Sequence, residues 1–276
     1  MLRLTARGEA VLFAVLVLAM ALGLSLLPGG GVALYGWTPA LAVVLILVLA
    51  GKARSRSAWA ALGFGRSGRS LWLIAVAIPV VVLSTGYIGA SAGGVTGLAL
   101  PAGISVPRFG ITWLVLLPAG AISAIGEELG WRGFLLPRLA SLGRVRAGLA
   151  IGLLWAVWHY PLILISGAYH GGADLPFLAL FTATVVATTF ISNELRMATG
   201  SAWPSTILHG AHNASWDQLR SLATRPSGSL DLVAGEAGLV PLLFYGAVAV
   251  WIIAMRPGWV ETRGQASSGV GEHPSI

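Results

Sequence analysis

The chain has 276 residues, of which 56% are hydrophobic and 10% are charged, and its mean hydropathy is +0.83. Soluble domains carry about 25% charged residues, so these values exclude an ordinary water-soluble domain and predict a polytopic membrane protein. The chain contains no cysteine, which excludes disulfides, thiolate catalysis and cysteine-ligated metals. We interpret the net charge of +7 as a topology signal and expect no nucleic-acid partner.

Eight apolar segments follow one another along the chain. Most are long enough to cross the hydrocarbon of a bilayer at about 20 residues per helix, whereas the fourth and the seventh are short or polar. The first segment is longer than the apolar part of a secretory signal and ends at no small-residue cleavage site, so it is interpreted as a helix. The segments cover approximately 10–27, 32–50, 71–90, 110–126, 147–167, 176–195, 203–219 and 238–255.

The basic residues predict the orientation of these eight spans. Alternating the spans puts thirteen basic residues on one side and three (Arg108, Arg220 and Arg225) on the other, with Arg132 set aside. Because loops rich in lysine and arginine remain in the cytoplasm, both termini are predicted to be cytoplasmic. The expected protein is an all-α, multi-pass bundle in a bacterial plasma membrane. Residues 1–255 are expected to form one transmembrane domain, and the Gly- and Ser-rich segment 256–276 a disordered cytoplasmic tail.

Polar residues inside the spans are the candidates for function. An ionisable side chain in a membrane costs several kcal/mol unless it is paired or hydrated, so its presence requires an explanation. Three stretches carry such residues: AIGEELGWRGF at 124–134, GLLWAVWHYP at 152–161 and WPSTILHGAHN at 203–213.

Helix geometry separates the two adjacent glutamates of the first stretch. Glu128 and Arg132 are four residues apart, so they share a helix face and can form an ion pair. Glu127 points about 100° away from Glu128 and has no such neighbour. A buried carboxylate without a counter-charge is suited to general-base catalysis near neutral pH. We therefore expect Glu127 to be catalytic and Glu128 to be structural.

The other two stretches supply possible partners for Glu127. His209 and Asn213 share one helix face, and His159 precedes Tyr160-Pro161, a predicted break or kink that could admit water. A carboxylate, two imidazoles and a carboxamide can activate a water molecule and stabilise an oxyanion. Glutamate with two histidines is also a known zinc ligand set, but the HExxH motif that usually supports a zinc site is absent from the chain.

Packing alone remains an alternative for each of these residues, because polar side chains also join membrane helices through hydrogen bonds. His212 is interpreted as structural or as a support for the site. His170 and His273 are assigned to a loop and to the tail, without a role. Glu194, two residues before Arg196, is interpreted as an interfacial charge.

Taken in order, these motifs resemble the CPBP family of intramembrane proteases, which includes the CAAX-processing, bacteriocin-processing and Abi proteins. The resemblance covers roughly 111–216. Each motif is short, but three in this order and spacing are specific. Trp155 stands where the family usually has Phe, which keeps an aromatic ring. The motifs are EExxxR (Glu127, Glu128, Arg132), an aromatic residue followed by xxxH (Trp155, His159), and HxxxN (His209, Asn213).

The resemblance implies a fold, an activity and a set of roles. The fold would be an eight-helix membrane bundle with a site that opens toward the cytosol, and the activity would be peptide-bond hydrolysis in a membrane-associated peptide or protein. Glu127 and His159 would activate water, and His209 and Asn213 would stabilise the oxyanion. We favour the metal-free mechanism, with no cofactor. The resemblance indicates neither the substrate nor the oligomeric state.

Two other functions stay open. The first is a zinc-dependent protease that uses the same residues. The second is a non-catalytic membrane protein that binds a ligand or acts as a scaffold, for example in self-immunity. A small transporter is disfavoured because the chain shows no inverted internal repeat and no matching pair of broken helices.

Overall fold

The computed structural model describes residues 4–27, 31–166 and 175–255, and in these ranges the regular structure is helical, apart from an isolated bridge between Leu98 and Ala223. This confirms the predicted all-α class. The tail 256–276, His170 and His273 lie outside the described residues. The α-helices are α1 (Ala6–Ser25), α2 (Val32–Tyr35), α3 (Thr38–Leu49), α4 (Arg56–Ala60), α5 (Trp72–Ala92), α6 (Val106–Glu128), α7 (Leu136–Leu139), α8 (Gly143–Leu164), α9 (Leu175–Thr199), α10 (Trp203–Arg220), α11 (Gly228–Ala234) and α12 (Leu239–Met255).

Five helical stretches among the described residues are long and apolar enough to cross a membrane. The protein is therefore an integral, multi-pass membrane protein, as predicted. All eight apolar segments coincide with helices, although α3 is shorter than a full span and α10 is too polar to qualify. The stretches are 6–25, 69–92, 106–164, which holds both α6 and α8, 175–199 and 228–255.

The second apolar segment differs from its prediction, because it is divided into α2 and α3 at Gly36-Trp37. Pro39, in the first turn of α3, suits a helix start. The break packs against α6, where a Cβ atom added to Gly126 would lie 2.6 Å from the carbonyl oxygen of Gly36. Gly126 therefore allows the two backbones to meet directly before Glu127.

Helices α6 and α10 also meet backbone to backbone. A Cβ atom added to Gly120 would clash with the carbonyl oxygen of Gly210, and one added to Gly210 would clash with the backbone of Ala121. Small residues at helix crossings allow such contact in membrane proteins. Because Gly210 follows His209 directly, this crossing brings the third motif onto the helix that carries the first.

A π-helix (Leu129–Leu135) follows α6 and carries the rest of the first motif. The amide of Leu136 donates to the carbonyl of Trp131, five residues earlier. In the same register the carbonyl of Arg132 would need the amide of residue 137, which is a proline and has no N–H. The Nε of Arg196 on α9 donates to that carbonyl instead, at 3.3 Å. Such π-turns are frequent at functional sites.

Candidate active site

The carboxylate of Glu128 is the centre of a fully buried polar cluster. Its Oε1 accepts hydrogen bonds from Arg132 Nη1 at 2.8 Å and from His209 Nδ1 at 3.0 Å. Both Glu128 and Arg132 are inaccessible to solvent. The guanidinium carbon of Arg132 also lies 4.4 Å from the ring centre of Trp155. Glu128 thus connects the first motif to the third, a contact that its spacing to Arg132 alone does not reveal.

Glu127 points to a different set of partners. Its Oε2 accepts a hydrogen bond from the indole Nε1 of Trp155 at 2.8 Å, and its side chain is only half-buried. The carboxylate also lies close enough to His159 and His209 to act electrostatically on both. The structure therefore brings Glu127 together with the second and third motifs, while Arg132 forms its ion pair with Glu128.

Trp155 is a site residue whose polar role the sequence reasoning missed. It was considered only as an aromatic ring in place of Phe, yet its N–H binds Glu127. The signal was present in its residue type, because a buried indole N–H usually finds an acceptor. Phe at this position would have no such donor.

His159 is oriented by its own helix. Its Nδ1 lies 2.9 Å from the carbonyl oxygen of Trp155, and its ring packs edge-on against Trp158 and Phe181 at centre distances of 4.5 and 5.1 Å. A carbonyl only accepts, so Nδ1 carries the hydrogen and Nε2 is the basic nitrogen of the neutral ring. Of the break or kink predicted at Pro161, the break is wrong, since α8 continues through it to Leu164; the lost hydrogen bond is tolerated inside a packed bundle.

The second and third motifs line a cavity of about 60 Å³. A cavity of this size holds water, and its wall combines imidazole, carboxamide, hydroxyl and carboxyl groups with apolar side chains. Trp155 belongs to the wall and connects it to Glu127. The lining residues are Trp155, His159, Phe181, Thr184, Val185, Thr188, His209, His212, Asn213, Glu236 and Ala237.

His212 and Glu236 extend the site beyond the three motifs. His212 Nδ1 lies 2.8 Å from the hydroxyl of Tyr245 on α12, so it lines the cavity and also joins two helices. Glu236 is buried in the turn between α11 and α12. Sequence reasoning gave Glu236 no role, although an acid directly before the last apolar segment was a usable signal.

Two charges outside the cavity are bound within the protein. Glu194 Oε2 pairs with Arg144 Nε at 3.2 Å, and the Glu194 side chain is largely buried. Arg196 is 9% exposed, and its Nη2 donates to the carbonyl of Ala61 at 3.2 Å. Both residues therefore hold helices and loops together inside the protein.

The described residues do not fit a three-ligand zinc site. Within 4–27, 31–166 and 175–255 no group of three His, Cys, Asp or Glu side chains is arranged to hold a metal ion. Catalytic zinc sites need three protein ligands with an open fourth position. The Nδ1 atoms of His159 and His209 are already hydrogen-bonded within the protein.

Comparison with known proteins agrees with this geometry. Residues 109–215 match the family model described as Type II CAAX prenyl endopeptidase Rce1-like. A relative described as CAAX prenyl protease 2, from Methanococcus maripaludis, is 28% identical over 104 residues, which are 37% of this chain and 37% of the relative. The chain thus matches little more than a third of that protein.

The fold and the site together define a class, a polytopic membrane protein whose helices α8 and α10 place His159, His209 and Asn213 around one cavity, with Glu127 of α6 bound to the Trp155 that lines it. In the core at 109–215 the chain is similar to the Type II CAAX prenyl endopeptidase Rce1-like family model and to the CAAX prenyl protease 2 relative. The family resemblance indicated by the three motifs is confirmed, and the matched region is close to the predicted 111–216.

Proposed function

We propose that this protein is an intramembrane endopeptidase that hydrolyses a peptide bond of a membrane-associated protein through a water molecule activated by Glu127 and His159. The observation that carries the proposal is the convergence of the three motifs: Glu127 binds Trp155 and acts on His159 and His209, and these three partners line a cavity large enough for water. The family match at 109–215 supports the same activity.

Water activation is assigned to the half-buried carboxylate. Glu127 has a neutral donor in Trp155 and no hydrogen-bonded cation among the described residues, so it can accept a proton from water. His159 presents its Nε2 side, because Nδ1 is held by a backbone carbonyl. A carboxylate and an imidazole close to each other can orient and deprotonate a water molecule in the way general-base catalysis requires.

Oxyanion stabilisation is assigned to His209 and Asn213. His209 binds Glu128 through Nδ1, so it can donate to an oxyanion only from Nε2, which requires the doubly protonated ring. The buried carboxylate of Glu128 stabilises that cation. Asn213, one turn further along α10, lines the same cavity with a carboxamide that can donate from its NH₂ group.

The proposed substrate class is taken from the description of the relative. CAAX prenyl protease 2 denotes a protein that acts on prenylated CAAX sequences, and Phe181, Val185 and Ala237 give part of the cavity an apolar wall. We therefore take a farnesylated CAAX peptide as the first substrate to test.

The first prediction concerns Glu127 and His159. In proteoliposomes, Glu127→Gln and His159→Asn are expected to lower kcat/KM for the farnesylated peptide by about 10²–10⁴-fold, the usual contribution of acid–base catalysis. Glu194→Gln is the matched control, because Glu194 is also a largely buried acid but pairs with Arg144 away from the cavity. A double variant with full activity would show that other residues activate the water.

The zinc-dependent alternative is tested separately. We expect the purified protein to retain its activity after extended dialysis against a strong chelator, because its donor groups do not converge as three metal ligands. Elemental analysis and activity are measured on the same sample. Stoichiometric zinc together with chelator-sensitive activity would establish the metalloprotease instead.

If no peptide is cleaved, mass spectrometry of membrane peptides from wild-type and Glu127→Gln cells extends the search to native substrates. An unchanged peptide set with an intact cellular phenotype in Glu127→Gln cells would favour the scaffold.

A further inference from the structure

A buried carboxylate that the water-activation and oxyanion roles leave unused lines the same cavity. Glu236 is 6% exposed and shares the wall with His209, His212 and Asn213. It lies between two helices of the last apolar stretch, where a carboxylate is costly and marks a functional position. Its place in the site therefore calls for a chemical role.

The turn that carries this carboxylate is held in position by backbone geometry. A Cβ atom added to Gly235 would clash with the backbone of Asp231, so the turn is closed tightly against α11. The amide of Gly238 donates to the carbonyl of Gly235 at 3.0 Å. Thr184 Oγ1 on α9 donates to the carbonyl of Ala237 at 3.5 Å, which fixes the turn to the helix on the other side of the cavity. The acid is thus presented by a rigid support.

Peptide hydrolysis needs an acid as well as a base. Glu127 accepts a proton from the attacking water, but the C–N bond breaks readily only when the amine nitrogen is protonated. The two carboxylates lie close enough for Glu127 to act electrostatically on Glu236. Two interacting carboxylates favour a state in which one is ionised and the other carries a proton, an arrangement that divides base and acid roles.

We propose that Glu236 is the general acid that protonates the departing amine. The proposal rests on the endopeptidase function above and assigns a further residue to its reaction. Glu127 takes one proton of water while the oxygen bonds to the scissile carbonyl carbon. The Glu236 carboxyl then gives its proton to the nitrogen as the C–N bond breaks, which releases an amine and a carboxylic acid. The proton on Glu127 returns to Glu236 through the water-filled cavity, so one water is consumed per bond.

The test compares two probes with the same acyl part and different leaving groups. One is a farnesylated CAAX peptide, in which an amine leaves; the other is the N-acylated S-farnesylcysteine 4-nitrophenyl ester, in which a phenolate leaves without protonation. In proteoliposomes, Glu236→Gln is expected to slow amide cleavage by about 10²–10⁴-fold and ester cleavage by less than about tenfold. Glu236→Asp, which keeps the acid, is expected to restore part of the amide cleavage. Asp231→Asn, on the preceding helix and paired with Arg220 at 3.7 Å, is expected to change neither rate.

The outcomes separate this proposal from the one on which it rests. Loss of both rates in Glu127→Gln together with loss of amide cleavage alone in Glu236→Gln supports both. Equal effects of Glu236→Gln on the two probes, or no effect, would overturn the role of Glu236 and leave the endopeptidase intact.

An infrared measurement decides the matter even if the wild type cleaves neither probe. The proposal requires a protonated carboxyl at Glu236 in the resting protein at pH 7. The difference spectrum between the wild type and Glu236→Gln must then contain a protonated-carboxyl C=O band. Absence of that band would overturn the general-acid role, whereas its presence without cleavage would reject only the prenylated substrate.

Discussion

At the scale of single residues, adjacent glutamates differ because their neighbours differ. Glu128 is buried with Arg132 and His209, whereas Glu127 accepts from the neutral indole of Trp155. Glu128 therefore binds a second motif as well as the nearby Arg132. It also fixes Nδ1 of His209, which determines the ring nitrogen that remains for substrate. A residue assigned to structure in the sequence thus orients a proposed catalytic one.

The second prediction concerns this buried cluster. Arg132→Met is expected to lower stability by about 3–5 kcal/mol, because removal of one partner leaves a buried charge uncompensated. The double variant Glu128→Gln/Arg132→Met is expected to recover part of that loss, since it removes both charges. Thermal melts in detergent measure each effect. Unchanged melting of the Arg132→Met variant would show that the ion pair contributes little.

Sequence spacing predicted the Glu128–Arg132 pair, but it could not predict the tertiary partners. The four-residue separation on one helix is a local rule. The bonds from Trp155 to Glu127 and from His209 to Glu128 join residues 28 and 81 positions apart. Such contacts depend on how helices cross, which a single sequence does not encode in any local pattern.

At the scale of helices, glycine contacts and a π-turn determine the site. The first motif continues into the π-helix. Pro137 has no N–H to donate to the carbonyl of Arg132, and the side chain of Arg196 donates to that carbonyl instead. Arg196 also binds the carbonyl of Ala61. One side chain therefore holds the first motif, α9 and the loop after α4 together. The sequence did not indicate this role of Arg196, since the lost backbone hydrogen bond appears only once the π-register is known.

The third prediction tests the crossing of α6 and α10. Gly120→Ala is expected to destabilise the protein and abolish cleavage, because the added methyl group would clash with the Gly210 backbone and move His209 away from Glu128. Gly110→Ala is the matched control on the same helix, where an added Cβ meets nothing within 4 Å. That control is expected to be neutral or stabilising by up to about 1 kcal/mol. Equal melting temperatures and activities for the two variants would contradict this role of the crossing.

At the scale of the whole molecule, the loops fall into two groups that agree with the charge distribution. Glu9 binds both Lys52 and Arg138, two basic residues predicted to lie on one side. On the predicted opposite side, Leu98 pairs with Ala223 and Arg225 donates to the carbonyl of Gly94. Basic residues predicted to share a side are thus close in space, although the fold alone does not say which side faces the cytoplasm.

The last prediction assigns that side. Positive loops remain in the cytoplasm, so the side with Lys52 and the exposed Arg54 and Arg56 is expected to be cytoplasmic. Because the chain has no cysteine, single cysteines report accessibility without background. In intact cells, Ala102→Cys, exposed in the loop before α6, is expected to react with a membrane-impermeant maleimide, and Ser57→Cys, exposed on α4, only after permeabilisation. The reverse pattern would invert the predicted topology and, with it, the predicted opening of the proposed active site toward the cytosol. Since a cytoplasmic farnesylated substrate is accessible only from one face, the labelling result also decides whether that substrate class is physically possible.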